Sequence, residues 1–159
     1  MEFGYCPIRK EKVQLLPEER VRLSCIAFLI RDLHFPKELL SVECALSSLP
    51  HLASRGDLPD CRIDLVCFAR NIHPVYSLYP LLLVECKAVP LTEKAERQLA
   101  GYNFYVNAPF IALAGPNEMR LASAANPALF RKGMADYPTL LKAVIPAEVS
   151  GGRLDEGIR

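Results

Sequence analysis

The sequence is poor in the features that would place it in a class at once. Its 159 residues carry a formal net charge of only +1, so no overall field of either sign draws it to nucleic acid; any such surface must be local. Its six cysteines (Cys6, Cys25, Cys44, Cys61, Cys67 and Cys86) include no Cys-x-x-Cys pair. Several of them fall in apolar stretches, where a thiol behaves as a small hydrophobe. That usage speaks against a disulfide framework, and the N-terminal MEFGYCPIRKEK lacks the apolar core of a secretory signal. No apolar run approaches the length of a membrane span. There is no P-loop, which excludes ATP-driven translocation by this chain, and there is no internal repeat or low-complexity block.

What is present is ordinary globular composition, 51% hydrophobic and 23% charged, in a chain long enough to bury one core. The expectation is a single cytoplasmic domain over residues 1–146. A tail over 147–159, with Gly151, Gly152 and Gly157 among charges, is expected to be disordered.

The most informative stretch is Pro80 to Ala88, PLLLVECKA. Its four aliphatics, Leu81 to Val84, bounded by Pro80 and Pro90, predict a strand buried on both faces. With a period of two, Leu83, Glu85 and Lys87 share one face, and a carboxylate and an ammonium stand side by side at the end of a core strand. Charges are rarely placed so near a core unless they are paired or bind something.

Around it the chain reads in order. Arg9, Lys10 and Lys12 lie in a short arm or strand. Pro17 opens a helix, with Glu18 and Glu19 where the helix dipole favours anions, an apolar stripe through Val21, Cys25, Phe28 or Leu29, and Leu33, and an end near His34. Leu39 to Leu46 predicts a strand with Leu40, Val42 and Cys44 on one face, and Cys61 to Ala69 another, with Arg62, Asp64, Val66 and Phe68 together. Thr92 starts a second helix to about Val106, with Gln98 one turn before Tyr102. Phe110 to Ala114 is a strand and Met119 to Ala122 a short extra one; Asn126 and Pro127 open a short helix, and Pro138 another to about Val144.

The two strands bearing Asp64 and Glu85 are consecutive, so antiparallel pairing is expected. Should the register set the two residues opposite one another, their β-carbons lie about 5 Å apart, and two carboxylates that close repel unless a cation sits between them. Hard oxygen ligands on a rigid sheet suit magnesium or manganese. Lys87 could then orient an attacking water and offset charge building on a phosphate, while Gln98 and Tyr102 hold a nucleic-acid backbone or the lysine. The alternative from spacing alone is two plain ion pairs, Asp64 with Arg62 and Glu85 with Lys87.

The order helix, three strands, helix, strand, with Asp64, then Glu85-x-Lys87, then Gln98-x-x-x-Tyr102, resembles the PD-(D/E)xK nuclease superfamily. More narrowly it is similar to the N-terminal domain of type I restriction enzyme motor subunits, here as a short stand-alone protein. The residues carrying the resemblance are LLPEERVR (Leu15 to Arg22), FPKELLSVE (Phe35 to Glu43), RID (Arg62 to Asp64), LLLVECKA (Leu81 to Ala88) and QLAGYN (Gln98 to Asn103). The resemblance implies an α/β, restriction-endonuclease-like core with a helical C-terminal cap. It implies a magnesium- or manganese-dependent DNA endonuclease, with Asp64 and Glu85 as metal ligands, Lys87 as the catalytic lysine, and Gln98 and Tyr102 completing the site. A first-helix glutamate, Glu19 or Glu18, joins the metal shell in that family, with Glu43 a weaker candidate. The implied partners are DNA, together with a further copy or a separate specificity or motor protein; no membrane is involved. Gly115-Pro116-Asn117 departs from the Asn-Gly turn often found after the last core strand, and the near-zero net charge fits the competing reading, a partner-dependent binding module on the nuclease fold.

Overall fold

The computed structural model describes residues 1–145; the tail expected over 147–159 lies outside them. Two short strands come first, β1 (Phe3–Cys6) and β2 (Glu11–Gln14), paired antiparallel as a hairpin where a short arm or single strand was expected. Helix α1 (Pro17–Arg31) follows, with Pro17 in its first turn, where a missing N–H costs nothing. It stops at Arg31, about a turn short of His34: the chain leaves the helix through His34 in a left-handed conformation before Pro36.

The main sheet has six strands: β3 (Leu40–Ala45), β4 (Arg62–Arg70), β5 (Leu78–Cys86), β6 (Phe110–Ala114), β7 (Met119–Ser123) and β8 (Arg131–Lys132), side by side in chain order. Every pairing is antiparallel except that of β5 with β6, which run parallel because α2 (Glu93–Val106) carries the chain back between them. Thr92 caps α2, its side chain accepting from the Ala95 N–H, as the sequence predicts. Helix α3 (Tyr137–Val144) closes the described chain, capped by Asp136. The expected succession of α1, three strands, α2 and β6 is the one observed, and the fold is a mixed α/β one with a helix at its C-terminal end.

Helices cover both faces of the sheet. On one, Cys25, Ile26 and Leu29 of α1 and Leu140 of α3 pack with Leu65, Cys67, Leu82 and Val84; on the other, Leu99 and Val106 of α2 pack with Ile63, Val66, Leu83 and Ile111. This is why Leu81 to Val84 can be a continuous apolar run: all four are buried. Pro80 does not bound that strand but lies within it, opposite a register shift between Cys67 and Phe68; a bulge is where a residue with no N–H is tolerated in a ladder.

Two other expectations need correction. Leu40, Val42 and Cys44 do not share a face: Leu40 and Val42 pack on the α1 side and Cys44 on the α2 side. Glu43, at φ 52° in the middle of β3, breaks the alternation, and opposite it β4 also changes sides, Ile63 facing α2 and Leu65 facing α1. Second, no helix starts at Pro127. Ala124 to Leu129 close as turns, with Asn126 N–H donating to Ser123 and Leu129 N–H to Asn126, because the chain must return at once to lay β8 against β7. All six cysteines are free, and among the described residues no helix is long and apolar enough to cross a membrane.

Candidate active site

The residues singled out by sequence gather where the sheet's central strands end and α1 begins. The β4–β5 ladder ends with Leu65 paired to Val84, and just beyond it come Asp64 and Glu85. Their contacts confirm that they meet. The Asp64 N–H donates to Glu85 Oε1 (3.3 Å), and the Cys86 N–H donates to Asp64 Oδ2 (2.8 Å). Lys87 follows Glu85 by two residues; its N–H donates to Ala114 of β6 (2.8 Å), continuing the ladder past the strand end, and its Nζ stands 4.0 Å from Glu85 Oε2.

The Glu85 side chain is largely buried, and its electrostatics follow from that. Burial, then the adjacent charge of Asp64, push its carboxyl up to about 7; the Asp64 N–H and Lys87 pull the other way, and Glu18 adds a smaller push. The Glu85 carboxyl therefore holds a proton more readily than an ordinary glutamate does.

Asp64 is only 9% exposed and is held by a residue that sequence reasoning did not assign. Arg22 Nη2 donates to Asp64 Oδ1 (2.7 Å), while its Nη1 reaches Glu19 Oε1 (2.9 Å) and Glu43 Oε1 (3.3 Å). Arg9, from the β1–β2 turn, adds Nη2 to Glu19 Oε2 (2.6 Å) and Nη1 3.9 Å from Glu43 Oε1. Burial works against the Arg22 charge, but the hydrogen bond to Asp64 and the surrounding carboxylates hold its pKa above the ordinary arginine value. The signal was there: 22, 25, 26 and 29 are the inward positions of α1, so an arginine heads the buried stripe in place of Val21. Asp64 is thus not paired with Arg62, whose Nη1 donates instead to the Glu43 carbonyl (3.1 Å).

The first-helix glutamates part company. Glu19 is taken up by Arg9 and Arg22, whereas Glu18 is exposed and makes no hydrogen bond or ion pair among the described residues. Glu18 and Arg22 are one turn apart on the same side of α1, which brings Glu18 to the Asp64–Glu85 end of the sheet. On α2, Gln98 Nε2 donates to the Tyr102 hydroxyl (3.1 Å), and Gln98 lines an open groove of about 270 Å³ with Lys87, Thr92 and Lys94. Asn103, the last residue of the QLAGYN stretch, has a different task. It is buried and exchanges two hydrogen bonds with Ala108, its Nδ2 donating to the carbonyl and its Oδ1 accepting from the N–H, so it ties the end of α2 to the start of β6.

Two neighbouring carboxylates fit a hard divalent cation, which commonly keeps several waters and takes one or two carboxylates. Among the described residues, no group of three or more Asp, Glu, His or Cys side chains is disposed as it stands to hold a metal ion, because Glu19 and Glu43 turn to the arginines. The residues therefore fit an ion held by Asp64 and Glu85.

No curated protein and no solved structure matches the chain. A family model does: the type I restriction enzyme R protein N terminus, over residues 17–125, a span that runs from the first turn of α1 to just past β7 and includes Asp64, Glu85, Lys87, Gln98 and Tyr102. The chain belongs to the family of type I restriction enzyme R protein N termini.

Proposed function

We propose that the chain is a metal-dependent DNA endonuclease domain of the PD-(D/E)xK kind, hydrolysing phosphodiester bonds. The observation that carries this reading is the meeting of Asp64 and Glu85 across β4 and β5 with Lys87 beside Glu85, Lys87 itself lining the groove toward α2. Family membership ties the chain to restriction systems, and DNA is the substrate such a system offers.

Magnesium or manganese bound by Asp64 and Glu85 would polarise the scissile phosphate and make water a better nucleophile. The Cys86 N–H and Arg22 fix the Asp64 carboxylate, so one ligand is placed before any ion arrives. Lys87 puts a positive charge next to Glu85, where it can orient the attacking water and offset charge on the phosphate. Gln98 and Tyr102 brace one another at the groove, with donors and acceptors for a phosphate backbone. Of the first-helix pair, Glu18 is the carboxylate left open to approach the ion or its waters. A separate specificity or motor protein, or a second copy, would supply the sequence selection for which nothing in this site provides.

The test is cleavage of supercoiled plasmid and of single-stranded DNA with magnesium or manganese. Asp64→Asn should abolish cleavage and weaken metal binding. Lys87→Ala should leave the metal bound while lowering cleavage by roughly 10²-fold or more, the scale for loss of one positioned charge-stabilising or proton-transfer group. Equal cleavage by all three proteins would sink the assignment. Clear metal binding with no cleavage by the unaltered protein would favour the partner-dependent module.

A further inference from the structure

Arg22 does more at this site than hold the Asp64 carboxylate. Its guanidinium is buried at the meeting point of three elements and touches a carboxylate from each: Glu19 of α1, Glu43 of β3 and Asp64 of β4. Its Nε finds no partner among the described residues, and its contacts run through its two terminal nitrogens. Arg9 grips the other Glu19 oxygen and approaches Glu43. Glu43 reaches Arg22 from a left-handed backbone, a conformation that costs a non-glycine residue free energy and persists only where surrounding contacts hold it.

An arginine is a cation that does not titrate away, and its planar fork engages carboxylates in fixed directions. Placed against Asp64 Oδ1, it repels a second cation on that side while drawing Glu19 and Glu43 away from any ion on the other. Resting on the reading of Asp64 and Glu85 as cation ligands, we propose that Arg22 is the resident cation of the site. It is a positioning residue that confines a divalent ion to the side of Asp64 facing Glu85 and keeps Glu19 and Glu43 out of the coordination. Glu19, in turn, acts only through Arg22.

The experiment uses the full chain and reads manganese and magnesium affinity by titration calorimetry, together with the metal-induced rise in melting temperature. Arg22→Gln removes the fixed charge from three carboxylates, leaving Arg9 alone on Glu19 and Glu43; it should melt lower without metal, yet bind manganese about tenfold tighter or better and gain more in melting temperature from it. Damage to the fold alone would weaken binding, so the sign separates the two. Arg22→Lys restores the charge and should return affinity to within about threefold of the unaltered protein. Glu19→Gln alone should leave affinity within about threefold, whereas in the Arg22→Gln background it should remove most of the gain.

Affinity in Arg22→Gln that is unchanged or weaker overturns the proposal. So does a loss of about tenfold or more in Glu19→Gln alone, which would make Glu19 a ligand and which decides the matter even if Arg22→Gln does not fold. Should the unaltered protein bind no manganese, binding by Arg22→Gln supports the proposal and its absence overturns it. Asp64→Asn separates the two readings. Undiminished metal binding in that variant defeats the ligand assignment itself, whereas lost binding beside an unchanged Arg22→Gln defeats only the role of Arg22.

Discussion

At Glu85 the tension in the site becomes a measurable stability. Its folded-state pKa, raised to about 7 from an ordinary value of 4.5, means that the native protein binds a proton there more readily than the unfolded chain. The stabilisation is therefore present at low pH, below the unfolded value, and is lost as pH rises through about 7. Glu85→Gln mimics the protonated form, can keep an oxygen on the Asp64 N–H, and should be more stable than the unaltered protein at pH 8 by about 1–3 kcal/mol. At pH 5 the gain should vanish. Urea unfolding of both proteins in metal-free buffer at the two pH values measures it, and a variant less stable at pH 8 would show that Glu85 is satisfied as it stands. At this scale the sequence displayed the charged residues that converge on the sheet end, since Asp64, Glu85 and Lys87 stand on strands whose register follows from their apolar runs. It did not display which cation each carboxylate takes. Asp64 is held by Arg22, 42 positions away in sequence, and a partner supplied from another element leaves no local spacing to read.

Elements were legible where one interaction dominates and blurred where tertiary demands override local preference. The β5 run and the two long helices follow from apolar periodicity and capping, and the structure keeps them with small changes at their ends. Pro127 misled because proline suits a turn as readily as a first helical turn, and the β7–β8 return needs the turn. Glu43 hid a change of face, because a left-handed residue inside a strand has no signature when it is not glycine. The Gln98 to Asn103 stretch shows how one motif divides between tasks. Gln98 lines the groove and bonds to Tyr102, whereas Asn103 fastens α2 to β6. Asn103→Ala leaves the Ala108 N–H and carbonyl without these partners in a buried place and should cost about 1–3 kcal/mol. Metal affinity in that variant should stay as it was. A large drop in affinity, measured where the variant is still folded, would mean that the groove depends on Asn103 more directly than these contacts allow.

For the molecule as a whole, two partly buried groups respond to pH in opposite senses. At the end of β5 lies Glu85, whose protonation stabilises. On the α2 side His51, in the loop between β3 and β4, sets its Nε2 2.7 Å from the Val106 carbonyl and packs against Tyr76 and Tyr79, with His73 stacked on Tyr79 beyond it. Its Nδ1 is buried without a partner among the described residues. Burial holds the His51 pKa below the ordinary 6.5, with the nearby His73 charge lowering it further, against the raising effect of the Val106 carbonyl. A group with a depressed folded-state pKa contributes stability that is present above the unfolded value. That contribution is lost as pH falls through the folded value, so His51 weakens the protein on the acid side of about 6.5. In the unaltered protein the Glu85 gain offsets this loss between pH 8 and pH 5. Glu85→Gln removes the offset, so its stability should fall steadily over that interval while the unaltered protein changes less. Adding His51→Gln to Glu85→Gln should flatten the curve, because neither group then titrates. Melting temperatures at half-unit steps of pH, with no divalent ion present, give all three curves. A Glu85→Gln protein as stable at pH 5 as at pH 8 would show that protonating His51 costs the fold nothing.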